Sequence, residues 1–352
     1  MNKDKEISER KKKILEAVVD NYINECEPVS SSMIKEKYLP DVSSATIRSE
    51  LATLEEMGFL VQPHISSGRI PSSLAYRYYV DNLSDIDIDN VNVEGIAKAF
   101  DNKFRGVEDI VKYTAKVISD VTNYTSVVVL NPLKAVIQEI KLVDLGDGSA
   151  LVIIRTDAGI IRDQVIDLPD DVEENNLPTA TTMINKLFDG KSLEEIQDND
   201  DYVDDSLSEF KGLFECVLDV IKRYQENSKD KVYLEGKNKI FDYPEYEDVE
   251  NVKNFLAVID EQDHLHELIE NDDDIEFSVK IGKGEGDGLD NMALVTAKYK
   301  INGKEVGHAG VIGPERMDYK KVLKVLGGIS DTLKELTDTK QLDNKEGDKK
   351  GE

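Results

Sequence analysis

The chain is poor in the residues that build covalent and metal frameworks: 352 positions hold two cysteines, four histidines and nine prolines. Cys26 and Cys216 occur in unrelated helical contexts. A disulfide framework or a zinc cluster needs more cysteines at short spacings, so both are expected to be reduced, buried thiols. His264 and His266 are two apart in one predicted helix, face opposite ways and cannot share a metal; His64 and His308 stand alone. No metal or other cofactor is expected. Long apolar runs are missing too. The longest, Val127–Leu130 and Ala150–Ile154, fall far short of a bilayer. The opening "MNKDKEISERKKKIL" carries charge without an apolar stretch before a cleavage site, so neither a signal peptide nor a membrane partner is expected and the location read is cytoplasmic.

The marks of catalysis are equally thin. No serine or cysteine stands in a nucleophile-elbow context, and among 72 Asp+Glu no carboxylate pair singles itself out. The segment "GKGEGDGLDN" (282–291) is rich in glycine, but a strand pattern both precedes and follows it. A phosphate cradle would lead into a helix, and its acids miss the spacing of a calcium loop; a mobile hairpin loop is the expectation. No catalytic residue is proposed, and the chain does not read as an enzyme.

Positive charge is scarce overall, with a net charge of −28, which argues against non-specific polyanion binding by the whole chain. Its distribution is uneven. Residues 1–83 hold 11 Lys+Arg against 13 Asp+Glu, whereas the other 269 hold 33 against 59. Within the nearly neutral portion, Ser66–Val80 contains no acid at all.

That portion has a clear order of elements. Ile14, Leu15, Val18 and Tyr22 predict a helix over 9–24, broken before Pro28. Ser30 or Ser31 is placed to cap a short helix reaching Tyr38. Ser43 or Ser44 is placed to cap a third, striped by Ile47, Leu51, Leu54 and Met57 and closed by Gly58. Two short strands, Phe59–Val61 and Arg69–Ile70, follow around the loop Pro63–Gly68. Three helices and a hairpin predict a winged helix-turn-helix over 1–83. With its stripe inward, the third helix offers Ser44, Ala45, Thr46, Arg48, Ser49 and Ala52 outward, small and polar residues suited to base edges. The hairpin adds His64, Ser66, Ser67 and Arg69, and Arg77 follows; minor-groove or phosphate contacts are the expected use. Other readings stand beside these. Helix-turn-helix units also dock proteins, Arg48 is a candidate to pair with Glu55 or Glu56, and Tyr76, Tyr78 and Tyr79 suit packing of the first domain on the second.

Beyond an acidic linker, residues 94–122 read as a long amphipathic helix or a broken pair, and 125–167 as antiparallel strands. Residues 170–231 read as helices and 246–270 as one helix; strands then return around Asn302-Gly303, before a helix over 318–336 and a polar, disordered tail over 341–352. The pattern predicts one α+β domain, 84–169 with 232–340, hosting a helical insertion over 170–231. Leu207, Phe210, Leu213, Phe214, Val217 and Leu218 form an apolar stripe in the insertion. It fits either a dimer interface or the insertion's own core.

Three segments together resemble the HrcA family of bacterial heat-inducible transcription repressors: "SSATIRSELATLEEMGFLVQPHISSGRIPSSLAYRYYVD" (43–81), "YLEGKNKIFDYPEY" (233–246) and "GHAGVIGPERMDYKKVL" (307–323). Ile65 and Glu315 depart from threonines common in the family. The resemblance implies a repressor of chaperone operons that binds an inverted-repeat operator in double-stranded DNA as a homodimer. It also implies a GAF-like α+β domain, an inserted dimerising domain, and maintenance of activity by the GroE chaperonin. An alternative is a ligand-responsive regulator whose GAF-like domain senses a small metabolite.

Overall fold

The computed structural model describes residues 7–83, 107–131, 135–156, 161–169, 172, 176–197, 210–227, 231–270, 277–282, 288–301 and 304–332. The acidic linker, the 94–106 part of the predicted helix, the Asn302-Gly303 turn and the tail lie outside them.

Three helices open the described chain: α1 (Glu9–Glu25), α2 (Ser31–Lys37) and α3 (Ser44–Glu56). The caps are resolved in favour of the earlier serine each time. Ser30 accepts from the Met33 amide and Ser43 from the Thr46 amide, each satisfying an otherwise orphaned helix donor. Ile14, Leu15 and Val18 of α1 meet Ile34 of α2 and Ile47, Leu51 and Leu54 of α3 in one fully dry cluster. Gly58 then takes a left-handed φ of 86°, which turns the chain into the hairpin β1 (Leu60–Val61) and β2 (Ile70–Pro71). A helix not anticipated as such, α4 (Ser73–Asp81), follows and buries Ala75, Tyr76 and Tyr79.

The body is a five-stranded antiparallel sheet. In chain order its strands are β3 (Thr125–Leu130), β7 (Lys231–Glu235), β8 (Phe277–Ile281), β9 (Met292–Ile301) and β10 (Lys304–Pro314); in space they run β7-β3-β10-β9-β8. Helix α5 (Val107–Thr122) and α11 (319–332) cover one face, and α9 (Val249–Asp260) with α10 (Gln262–Glu270) cover the other. Two covered faces explain why β3 is buried at every position: Val128 and Leu130 join one cluster, Val127 and Val129 the other. The predicted 246–270 helix is two, because Glu261 leaves the helical conformation and a 3-10 turn, Pro244–Glu247, precedes α9.

The expected domain boundaries need correction here. Strands β4 (Ile137–Gly146), β5 (Ser149–Thr156) and β6 (Ile161–Asp167) do not continue the body's meander; they form a sheet of their own. Against one face lie α6 (Leu177–Phe188), α7 (Leu193–Gln197) and α8 (Lys211–Asn227), closing a separate core. The insertion is therefore α+β rather than helical. Its inward residues, Ala150, Val152 and Ile154, alternate along β5 with Leu151 and Ile153 on the open face.

The proposed dimer stripe is also corrected. Phe210, Leu213, Phe214 and Val217 are core of this second unit, each at most 4% exposed, and Leu218 packs against it. The Phe214 ring stacks on Phe188 with centroids 5.5 Å apart. A side chain already dry inside its own subunit has no apolar surface to give a partner. Leu207 lies outside the described residues.

Several polar contacts join the helical module to the body. Tyr79 donates to Asp20 within the module, and Lys320 Nζ reaches Asp20 at 3.2 Å. Tyr76 packs on the buried Tyr319, with ring centroids 6.1 Å apart. The Ser73 hydroxyl donates to both Glu315 carboxylate oxygens at 3.0 Å.

Two outcomes follow. Phe214→Ala opens a cavity in a closed core and should cost about 3–5 kcal/mol in urea unfolding. Burial pushes the Glu315 carboxyl above its ordinary value, a nearby Asp290 adding to this and Ser73 and Arg77 opposing it. A raised folded-state pKa means stability held below the unfolded value and lost as pH rises through the folded one. Glu315→Gln, whose amide oxygen still accepts from Ser73, should melt above the parent near neutral pH, with the difference gone at about pH 4.

Candidate nucleic-acid interface

The face opposite the α3 stripe begins at a tight cap, where Ser43 Oγ and Thr46 Oγ1 lie 2.8 Å apart. Thr46 is thereby half-buried and turned to the cap; Ser44 is half-buried too, while Ala45, Arg48 and Ser49 are exposed. Among the described residues no hydrogen bond or ion pair engages the Arg48 guanidinium. It projects from a helix whose neighbouring outward side chains are too small to screen it, beside the cleft between α2 and the hairpin.

Two of the three acids of α3, Glu50 and Glu55, are paired within the module. Glu50 is buried and bound by Arg10 (Nε at 3.0 Å) and by Lys11 at 3.2 Å. The Arg10 hydrogen bond chiefly holds its carboxyl below the usual range. Glu55, mooted as a partner for Arg48, instead binds Arg69, with Nε at 2.9 Å and Nη2 at 2.8 Å. Arg69, expected at phosphates, here ties the hairpin to α3; its side chain is 17% exposed. Arg77 is likewise engaged within the chain. Its Nε donates to the Ile281 carbonyl at 3.2 Å, with Nη2 on the same oxygen, so it joins α4 to β8.

The hairpin tip is organised by its own polar groups. Ser67 Oγ accepts from the His64 amide at 3.0 Å and donates to its carbonyl at 2.7 Å. Gln62, which the sequence analysis passed over, donates to the carbonyls of Ile65 (2.9 Å) and Ser67 (3.1 Å). His64 and Ser66 are exposed and Ile65 is 99% exposed, leaving the tip apolar where a hydroxyl is common in the resembling family. At its base Val29 and Arg69 exchange backbone hydrogen bonds at 2.8 and 2.9 Å. Gly68 runs so close to this pairing that a Cβ there would lie 2.4 Å from the Val29 oxygen. Sequence offered no signal for Gln62, nor for the Arg10–Glu50 pair forty positions apart. The Val29 bridge had one, an extended residue following Pro28.

An exposed helix face and a polar hairpin on a larger α+β body are what a DNA-reading regulator of transcription would offer a duplex. Residues 108–323 match the family described as HrcA protein C terminal domain. The heat-inducible transcription repressor HrcA of Clostridium acetobutylicum is 35% identical over 333 residues, which cover 93% of this chain and 97% of that protein. Its counterpart in Clostridium tetani is 36% identical over 340 residues, covering 94% and 96%. A solved crystal structure of a hypothetical protein at 2.2 Å resolution shares the fold, with a TM-score of 0.60, 20% identity, and coverage of 93% of this chain and 98% of that one. The chain belongs to the HrcA family of heat-inducible transcription repressors, which are not enzymes.

Arg48→Ala should weaken binding to a cognate duplex by about 1–3 kcal/mol and to random DNA by less, measured by fluorescence anisotropy. Equal losses would assign Arg48 to phosphates. Arg69→Ala should chiefly lower thermal stability and leave the salt slope of binding unchanged.

Proposed function

We propose that residues 1–83 form a winged helix-turn-helix that binds an inverted-repeat operator upstream of chaperone genes, with Arg48 reading bases and Ala45, Ser49, His64 and Ser66 beside it. The observation that carries this is the unpaired Arg48 on the exposed half of α3, where Glu50 and Glu55 are bound by Arg10, Lys11 and Arg69. Thr46 and Ser67 hold the local geometry instead of meeting DNA first, and Ser44 is half-buried. The body, 107–131 with 231–332, is read as a GAF-like domain, and 135–227 as the inserted dimerising unit. Among the described residues no helix is long and apolar enough to cross a membrane, in keeping with a cytoplasmic repressor whose competence the GroE chaperonin maintains.

The homodimer contact moves from α8 to the open face of the second sheet. Val143 lies opposite Leu151, and Leu151 opposite Val165, a continuous apolar row across three strands. Val143 is 37% and Val165 56% exposed. An antiparallel sheet with a wet face ordinarily alternates polar residues there. Here the flanking Lys141, Arg155, Asp163 and Asp167 carry both signs, which suits a self-complementary twofold contact.

The test is a gel shift with the inverted repeat upstream of the host's chaperone genes, run with and without GroE, beside light scattering of Leu151→Glu. The parent should shift that repeat as a dimer and gain active fraction with GroE. Leu151→Glu should scatter as a folded monomer with weakened binding; a dimeric Leu151→Glu places the interface elsewhere.

A further inference from the structure

Two of the segments that carry the family resemblance, 233–246 and 307–323, lie far from the DNA-facing surface and have no part in it so far. The structure brings them together at one side chain. Arg316, immediately after β10, donates from Nε and Nη2 to the two carboxylate oxygens of Glu245, Nη2 at 3.3 Å. Its third nitrogen, Nη1, donates to the Ile23 carbonyl at 3.2 Å. Ile23 lies in the last turn of α1, whose carbonyls have no partner further along the helix. The Tyr243 ring faces the guanidinium at 5.6 Å and is itself stacked on Tyr124 at 5.2 Å. Tyr243 Oη donates to the Asn123 carbonyl, and Tyr124 Oη accepts from the Asp318 amide, both at 3.0 Å. The Arg316 side chain is 11% exposed and that of Glu245 25%.

We propose that Arg316 is a positioning residue for operator recognition: it locks α1, and through α1 the reading helix α3, at a fixed orientation to the body. The path is continuous. Glu245 and the Tyr243–Tyr124 stack hold the guanidinium in the body, Nη1 grips the end of α1, and Arg10 and Lys11 near the start of α1 grip Glu50 of α3. The other charged tie to α1 is weaker, since Lys320 and Asp20 are 49% and 35% exposed and solvent screens them. A lysine cannot take this place, because one ammonium cannot meet a bidentate carboxylate, a carbonyl on another element and a ring face together. In a dimer, whatever fixes each α3 to its body also fixes the separation of the two α3 helices, and hence which half-site spacing both can occupy. This rests on the dimeric, inverted-repeat reading above.

The experiment uses the full chain, as parent, Arg316→Lys and the double variant Arg316→Met/Glu245→Met, which removes the buried pair without stranding a charge. Binding is measured on three duplexes: the inverted repeat upstream of the host's chaperone genes, the same repeat with its spacer lengthened by about five base pairs, roughly half a helical turn, and a single half-site. Circular dichroism checks folding, and hydrogen exchange without DNA follows amides 20–26 and 73–81. Both variants should lose about 10- to 100-fold on the native repeat, as two sites stop acting in concert. On the single half-site they should stay within about twofold of the parent, and their preference for the native spacer should flatten. Folded variants that keep the parent's spacer preference overturn the proposal, as does an equal loss on the single half-site. A parent without spacer preference defeats the dimeric reading instead. Exchange then decides for Arg316: faster exchange at 20–26 and 73–81 supports the lock, and unchanged exchange refutes it.

Discussion

A strand with no wet face organises this protein. β3 is dry from Thr125 to Leu130, so helices must cover it on both sides, and it anchors two distant parts of the chain. Its pairing with β10 brings residues 307–312 against 125–130, and its other edge receives β7, the first strand after the second unit. An inserted unit of this size is tolerated because its exit and return points, near 131 and 231, are neighbours on paired strands: Leu130 lies opposite Lys231. Closing such an insertion costs little chain entropy, and the unit pays its own way with a separate core.

The helical module was the most legible part of the chain. Its caps, its stripe and the glycine at its end are local signals, decided within a turn or two of helix, and Ser30, Ser43 and Gly58 act as their positions suggest. The outward placement of Arg48 rests on the same local periodicity. What local pattern cannot carry is partnership. Arg69 and Arg77 stand in an acid-free stretch, yet Glu55 and the Ile281 carbonyl reach them from fourteen and 204 positions away. A cation's neighbours along the chain say little about its neighbours in space.

The second unit misled for a related reason. Its strands have the same alternation and turn signals as the body's, because any antiparallel sheet with one covered face produces them. Which sheet a strand joins depends on long-range register, as with Ala150 opposite Asp144 on one side and Ile166 on the other. The stripe of α8 was ambiguous in the same way. An apolar helix face must be covered, and only the fold says that Phe188 and its neighbours in the same subunit cover it.

The bridge between Val29 and Arg69, with Gly68 pressed against it, has a consequence for how the module meets a duplex. The hairpin is stitched to the segment joining α1 and α2 as a third strand, and to α3 through Arg69 and Glu55. Helix and hairpin therefore travel as one stiff tool with a set gap between them. A groove of the wrong width is not met by a swing of the hairpin. Under the DNA-reading role proposed above, the duplex would have to bend or narrow to fit, and sequences that deform readily would gain an advantage at base pairs the protein never touches.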